Sequence, residues 1–86
     1  MIRCYLPSDE SAFHALWNTD GLRSGYAPLD ITKFRRLLTE HPEFRSEFTF
    51  VLEEDGQILG FINGCAGDHI ADGSPKGYIS CLILAQ

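Results

Sequence analysis

Two apolar, β-rich runs flank Asp55-Gly56, and this pattern constrains the fold more than any other stretch of the chain. Asp and Gly tolerate the positive φ angles of a type I′ turn, whose twist matches that of the strands on either side. The pattern predicts a hairpin with strands over about Phe48–Glu53 and Gln57–Ala66. The second strand carries apolar residues on both faces, which is typical of a strand inside a sheet.

Alternation along the second strand assigns its side chains to two faces, because successive residues of a strand point in opposite directions. Ile58 and Ile62 are predicted on one face, opposite Leu59, Phe61 and Cys65. The hairpin is therefore expected to contribute apolar side chains to both sides of the sheet.

The segment before the hairpin predicts a short strand over Ile2–Tyr5 and two helices. Ser8 is a good N-cap for the first helix, which we expect to end near Asn18. Asp30 is the expected N-cap of the second helix, which closes at His41 because the residue before a proline avoids the helical region. Spacing predicts one buried stripe on the second helix, formed by Ile31, Phe34, Leu37 and Leu38.

After the hairpin, Gly77–Leu84 predicts a last strand that is apolar on both faces, beyond a surface loop at Asp68–Lys76. The order is β-α-α-β-β-β, in a single domain over residues 1–86. We predict an α+β fold, with an antiparallel sheet of about four strands and two helices on one face. Two short helices cannot cover both faces of such a sheet, so we expect a bare face and an unpaired last strand.

The composition excludes several classes of function. The formal net charge is −5 and there is no basic run, so the patch that neutralises nucleic-acid phosphates is missing. No apolar run reaches the roughly 18–20 residues that cross a membrane. The N-terminus lacks a signal-peptide core, so we expect a cytoplasmic protein without a membrane partner. Three cysteines at no metal-like spacing predict neither a disulfide framework nor a metal site.

The element order and the hairpin sequence resemble the N-terminal half of the GNAT acetyltransferase superfamily. Residues 51–62 read Val-Leu-Glu-Glu-Asp-Gly-Gln-Ile-Leu-Gly-Phe-Ile, which fits that family's pattern V-x-E-x-D-G-x-I-x-G-F for its second and third strands. Tyr78–Leu84 resembles the family's fourth strand. The resemblance implies the acyl-CoA N-acyltransferase fold, acetyl-CoA as cofactor, and a small molecule or peptide that carries the acceptor amine.

The resemblance also implies where the cofactor binds. Backbone groups of the last strand, at Leu82, Ile83 and Leu84, would hydrogen-bond the pantetheine arm of acetyl-CoA and help to polarise the acetyl carbonyl. The alternative is that these three are simply core residues of a strand.

The loop between the two helices would, by the same resemblance, form one wall of the acceptor site. The side chains that it offers are those of Arg23, Ser24 and Tyr26. A tyrosine in a loop that contains Gly and Pro is also typical of a hydrophobic plug. Asp68 and His69 could act as a general base, although both residue types are common in solvated turns.

In that family, a Gly-rich loop and a helix N-terminus after the fourth strand hold the pyrophosphate of coenzyme A. The sequence ends at Ala85-Gln86, where that loop would begin. We therefore expect an incomplete acetyltransferase domain that is inactive alone.

Three functions follow from these observations. The first is the N-terminal part of an acetyl-CoA-dependent N-acetyltransferase that acts on a primary amine. The second is a non-enzymatic, self-associating module, a homo-oligomer that pairs through its exposed last strand and bare sheet face. The third is a small-ligand-binding domain of unrelated ancestry, which would have a different strand order.

Overall fold

The computed structural model describes all residues from Met1 to Gln86. The chain folds into four strands, two α-helices and three shorter helical turns. In chain order these are β1 (Ile2–Cys4), a 3₁₀ turn (Pro7–Asp9), α1 (Glu10–Leu16), a π-helical turn (Trp17–Gly21), α2 (Ile31–Leu37), a 3₁₀ turn (Ser46–Phe48), β2 (Phe50–Glu54), β3 (Gln57–Asp68) and β4 (Pro75–Leu84). The predicted order β-α-α-β-β-β and the α+β class are confirmed.

The four strands form one antiparallel sheet in the order β1-β2-β3-β4, so β4 is an edge strand. The predicted hairpin joins β2 to β3. Asp55 has a φ of 51° and Gly56 a φ of 77°, the two positive values that a type I′ turn requires. The turn predicted from these two residues is confirmed.

The core lies between the two α-helices and one face of the sheet. Phe13 of α1 stacks on Phe61 of β3 with ring centroids 4.4 Å apart, and Phe34 of α2 meets Phe13 edge-on at 5.0 Å. Val51 and Ile83 complete this layer and are fully buried. Both helices therefore cover the same face, as predicted.

A β-bulge in β3 changes the predicted facing of one residue. Leu52 pairs with Gly60 and Glu53 pairs with Ile58, which leaves Leu59 as the extra residue. An extra residue shifts the alternation of all that precede it. Ile58 consequently packs against the core beside Phe61, and its predicted place on the face of Ile62 was wrong.

The first helix begins differently from the prediction. Ser8 is exposed within the first 3₁₀ turn, and it is the Asp9 side chain that accepts a hydrogen bond from the Leu6 N–H at 2.8 Å. Arg3 holds the same carboxylate with two further hydrogen bonds of 2.8 and 2.9 Å. The helical path also continues past Asn18 through the π-helical turn.

The second helix begins as predicted but is shorter. The Lys33 N–H donates to Asp30 Oδ1 at 2.8 Å, which confirms the N-cap. The helix ends at Leu37, whose side chain is 47 % exposed. With 3.6 residues per turn, Leu37 lies to one side of the line through Phe34 and Leu38, and its predicted burial was wrong.

The opposite face of the sheet is bare, as expected from only two helices. Its exposed apolar side chains include those of Ile2, Phe50, Ile62, Leu82 and Leu84. Neither α-helix is long and apolar enough to cross a membrane.

Candidate functional site

The C-terminal end of β4 presents backbone groups at the open edge of the sheet. The Ala85 N–H donates to the Leu59 carbonyl oxygen at 2.7 Å. Along two antiparallel strands, opposite residues that exchange backbone hydrogen bonds alternate with opposite residues that do not. The backbone groups of Leu82 and Leu84 therefore point away from β3. Ile83 lies opposite Phe61 and its backbone groups face β3 instead. Of the three predicted positions, only Leu82 and Leu84 offer their N–H at the edge.

The segment between the helices lies directly against this edge. The Leu82 N–H donates to the Tyr26 hydroxyl at 3.4 Å. The Gln86 N–H donates to Asp20 Oδ1 at 3.1 Å. The structure thus brings together the loop predicted as a wall of the acceptor site and the strand predicted to hold the cofactor.

Tyr26 is held by the π-helical turn as well as by the strand. Its ring stacks on Trp17 with centroids 4.6 Å apart and planes 22° from parallel. The Trp17 indole N–H donates to the Ala27 carbonyl at 2.8 Å, which fixes the loop on the far side of the tyrosine. Tyr26 is therefore a plug that anchors the loop, and its hydroxyl at the same time contacts the strand.

The other two predicted loop residues lie nearer to solvent. Arg23 Nη1 is 2.7 Å from Asp20 Oδ1, and the arginine side chain is 64 % exposed. Ser24 is exposed, and its N–H donates to the Gly21 carbonyl at 3.0 Å. Both residues are exposed to solvent.

A clamp that the sequence did not indicate holds the far end of the loop. His14 Nε2 lies 2.7 Å from the Leu29 carbonyl oxygen. The Asn18 amide both donates to that oxygen at 2.7 Å and accepts from the Leu29 N–H at 2.9 Å. The four-residue spacing of His14 and Asn18 places them on one helix face, and this was the signal that could have suggested the clamp.

A second bulge lies in β4, two residues before Leu82. Asn63 pairs with Cys81 and Gly64 with Ile79, so Ser80 is the extra residue. The fully buried Asn63 amide donates to the Ser80 hydroxyl, and Asn63 Oδ1 accepts from Thr49 Oγ1 at 3.0 Å. A buried polar group is costly unless it forms hydrogen bonds. This network supplies those hydrogen bonds at the point where the bulge interrupts the pairing of β3 with β4.

A titratable cluster lies further toward the N-terminal end of β4. The Tyr78 hydroxyl donates to Glu43 Oε1 at 2.7 Å, and Lys76 Nζ is 3.7 Å from Glu43 Oε2. The hydrogen bond raises the pKa of Tyr78 and lowers the pKa of Glu43, so the pair is a neutral phenol and a carboxylate at neutral pH. Burial raises the pKa of the nearby Cys81 thiol to about 11, which keeps that thiol protonated.

The two residues weighed as a general base lie away from the edge described above. Asp68 pairs with Pro75, and His69 donates its N–H to the Ser74 carbonyl in the adjoining turn. Ile62, the partner of Leu82, is six residues from Asp68 along β3, which corresponds to roughly 20 Å at the rise of a strand. Neither side chain can reach an amine placed beside Leu82. No three His, Cys, Asp or Glu side chains gather as a metal site.

Similar folds are found among solved acetyltransferase structures. A GNAT family acetyltransferase from Staphylococcus aureus matches with a TM-score of 0.64 and 16 % identity, over 100 % of this chain and 62 % of its own. An aminoglycoside acetyltransferase from an uncultured soil sample matches with a TM-score of 0.60 and 19 % identity, over 100 % of this chain and 58 % of its own. No protein-family model and no curated protein sequence matches.

The chain therefore spans about three fifths of the length of these two proteins. The likeness extends over every element of the chain, and it does not favour an unrelated fold with another strand order. The resemblance stated from the sequence is confirmed for the architecture: the chain has the α+β acyltransferase-like fold of these two proteins, over part of their length.

Proposed function

We propose that this chain is the N-terminal part of an acetyl-CoA-dependent N-acetyltransferase that acts on a primary amine. The observation that carries the proposal is the open edge of β4. There the outward N–H groups of Leu82 and Leu84 lie beside the loop that contains Tyr26. The acetyltransferase fold of the chain supports the same reading.

The edge of β4 suits an extended ligand with alternating amide groups. Such a ligand binds as an added strand, through main-chain hydrogen bonds to an open sheet edge. The pantetheine arm of acetyl-CoA has this chemistry, and Leu82 and Leu84 would bond its carbonyl oxygens. When bound, acetyl-CoA supplies a thioester whose acetyl group is transferred to the amine.

The residues of this chain would act by holding the cofactor and the acceptor and by polarising the thioester carbonyl. A backbone N–H aimed at the thioester carbonyl stabilises the negative charge that develops on that oxygen as the amine attacks. We assign this role to the backbone at the same edge of β4. Arg23, Ser24 and Tyr26 would form the wall against which the amine-bearing acceptor is placed. The group that removes the proton from the amine stays unassigned.

We expect the 86 residues alone to bind acetyl-CoA weakly and to be inactive. A helix N-terminus is the usual site for a pyrophosphate, because its free N–H groups and dipole attract anions. Within these residues β4 is followed only by Ala85 and Gln86. Tight, stoichiometric binding in a calorimetric titration with acetyl-CoA would contradict this expectation.

The proposed edge site can be tested by NMR titration of the ¹⁵N-labelled chain with acetyl-CoA. We expect shifts at the amides of Leu82 and Leu84 and in the loop at 22–26, and none around Ile70 in the connection between β3 and β4. Leu82→Pro removes the outward N–H without removing a bond to β3, since proline is tolerated where the N–H faces outward from an edge strand. Leu82→Ala is the matched control, because it keeps that N–H.

The proposal predicts that Leu82→Pro abolishes the shifts of the edge amides while Leu82→Ala retains them. Circular dichroism of both variants confirms that each is folded before the comparison is made. Shifts confined to other parts of the chain, or equal shifts in both variants, would contradict it.

Self-association is the second candidate function, favoured by the bare sheet face. Ile79 is 68 % exposed on β4, and Leu84, Phe50 and Ile62 are exposed on the same sheet. We propose that a second copy can cover this surface, because large exposed apolar patches mark interaction sites. Light scattering with and without acetyl-CoA tests it, together with Ile79→Lys. A dimer that is indifferent to acetyl-CoA and is dissociated by Ile79→Lys supports it, and a monomer at all concentrations contradicts it.

A further inference from the structure

Three backbone donors at the C-terminal end of β4 face the open edge: those of Leu82, Leu84 and Gln86. Two of the three are already occupied by side chains of the segment between the helices. Tyr26 accepts from Leu82, and Asp20 accepts from Gln86. The segment therefore brackets the edge at both ends and leaves the Leu84 N–H between them.

The Tyr26 hydroxyl is not needed to hold its own loop. The ring is fixed by stacking on Trp17, and the Tyr26 N–H donates to the Gly21 carbonyl at 3.0 Å. The hydroxyl contact with Leu82 is 3.4 Å long, beyond the usual range of about 2.7–3.2 Å for an N–H···O hydrogen bond. A weak bond to an otherwise anchored residue can be exchanged for a better one without unfolding the loop.

We propose that Tyr26 is a displaceable cap on the ligand edge of β4. In the free protein its hydroxyl occupies the Leu82 N–H, and it yields that donor to a carbonyl oxygen of the bound ligand. Asp20 occupies the Gln86 N–H and is not displaced by a short ligand. The structural half of this inference, that the two side chains occupy the edge donors, rests only on the two contacts. Its ligand half, that a bound ligand displaces the Tyr26 hydroxyl, rests on the proposed function for the identity of the ligand.

The cap also explains how an edge strand at this position avoids unwanted pairing. Natural proteins cover or block the free N–H and C=O groups of edge strands, which otherwise pair with other chains. Here the blocking groups are single side-chain oxygens. A strand that pairs with residues 82–86 must displace both of them, whereas a short ligand must displace only the Tyr26 hydroxyl.

Tyr26→Phe tests the cap, because it removes the hydroxyl and keeps the ring on Trp17. Tyr78→Phe is the matched control, since it also removes one tyrosine hydroxyl, whose partner is the Glu43 carboxylate and not a backbone N–H. Amide hydrogen exchange of the whole ¹⁵N-labelled chain reports the structural half. Titration with pantetheine, which carries the amide arm without the phosphates, reports the ligand half.

We expect Tyr26→Phe to speed exchange at the Leu82 amide several-fold and to leave other β4 amides unchanged. We also expect pantetheine to bind two to five times more tightly, because no hydroxyl has to be displaced. Tyr78→Phe should change neither quantity. If Tyr26→Phe fails to fold, Asp20→Ala with exchange at the Gln86 amide tests the same cap.

The outcomes separate this inference from the proposed function. Unchanged exchange at Leu82 overturns the cap even if pantetheine binds. Faster exchange with equal or weaker pantetheine binding also overturns it, since Tyr26 would then help to hold the ligand. Faster exchange with no pantetheine binding to either protein overturns the ligand half alone, and the proposed function is tested separately by the titration with acetyl-CoA.

Discussion

Gly64 is the position where one added methyl group should do the most damage. It lies in β3 opposite Ile79, next to the β4 bulge, with the backbone of Phe48 directly above it. A Cβ built at Gly64 collides with the Phe48 carbonyl oxygen and comes within 2.7 Å of the Phe48 Cβ. Ordinary carbon–carbon contacts are about 3.5–4.0 Å, so the 3₁₀ turn at Ser46–Phe48 would have to move by roughly 1 Å.

The expected change in the free energy of unfolding follows from two opposing contributions. Overpacking a fitted site costs about 1–3 kcal/mol, and a collision with backbone atoms belongs at the upper end. Replacing a strand glycine by alanine returns roughly 0.5–1 kcal/mol through chain entropy. Gly64→Ala should therefore lower the free energy of unfolding by about 2 kcal/mol, which for a chain of this size lowers the melting temperature by roughly 10 °C.

Gly77→Ala is the matched control for this prediction. Gly77 lies in the neighbouring strand, opposite Ala66, and the nearest atom to its added Cβ is the Cys65 carbonyl oxygen at 3.8 Å. Without a collision, only the entropic gain remains, so this variant should be as stable as the wild type or slightly more stable. Thermal and urea unfolding followed by circular dichroism measure both. Equal stability of Gly64→Ala and Gly77→Ala would refute the reasoning.

Three further predictions concern the core and its edges. Phe13→Ala should lower the free energy of unfolding by about 3–5 kcal/mol in urea titrations, because the ring is fully buried; a loss below 1 kcal/mol would contradict its place in the core. Hydrogen bonds from Arg3 hold the pKa of Asp9 below its usual value, so its contribution to stability is present above about pH 4 and lost below it. Urea midpoints of the wild type and Asp9→Asn should therefore converge on acidification, and a constant difference would argue against the ion pair. At pH 8 a thiol reagent should modify the exposed Cys4 well before the buried Cys81, whose pKa is raised to about 11, and equal rates would contradict its burial.

Local chemistry made two features predictable from the sequence, the turn at Asp55-Gly56 and the N-cap at Asp30. Asp55 and Gly56 specify their turn because few other residue pairs adopt two successive positive φ angles at low cost. Asp30 specifies its cap because its side chain reaches the free N–H groups of the first helical turn without help from the rest of the fold. Ser8 has the same potential, but the nearby Arg3 and the Leu6 N–H both engage Asp9 instead.

The details of pairing depended on contacts between distant residues. The bulges at Leu59 and Ser80 follow from fitting strands around a packed core, and no local pattern marks an extra residue. Ser80 was not a candidate from the sequence, because its partner Asn63 is 17 residues away and fully buried.

The sequence by itself determined the α+β class, the order of the elements, the central hairpin and the bare sheet face, since these follow from turn chemistry and the spacing of apolar residues. Only the tertiary structure decided which backbone groups are free at the edge of β4. That depends on the hydrogen-bonding register, which places Leu82 outward and Ile83 inward. It also decided that Tyr26 meets Leu82, because a contact across 56 residues exists only after the loop and the strand have packed on the same core.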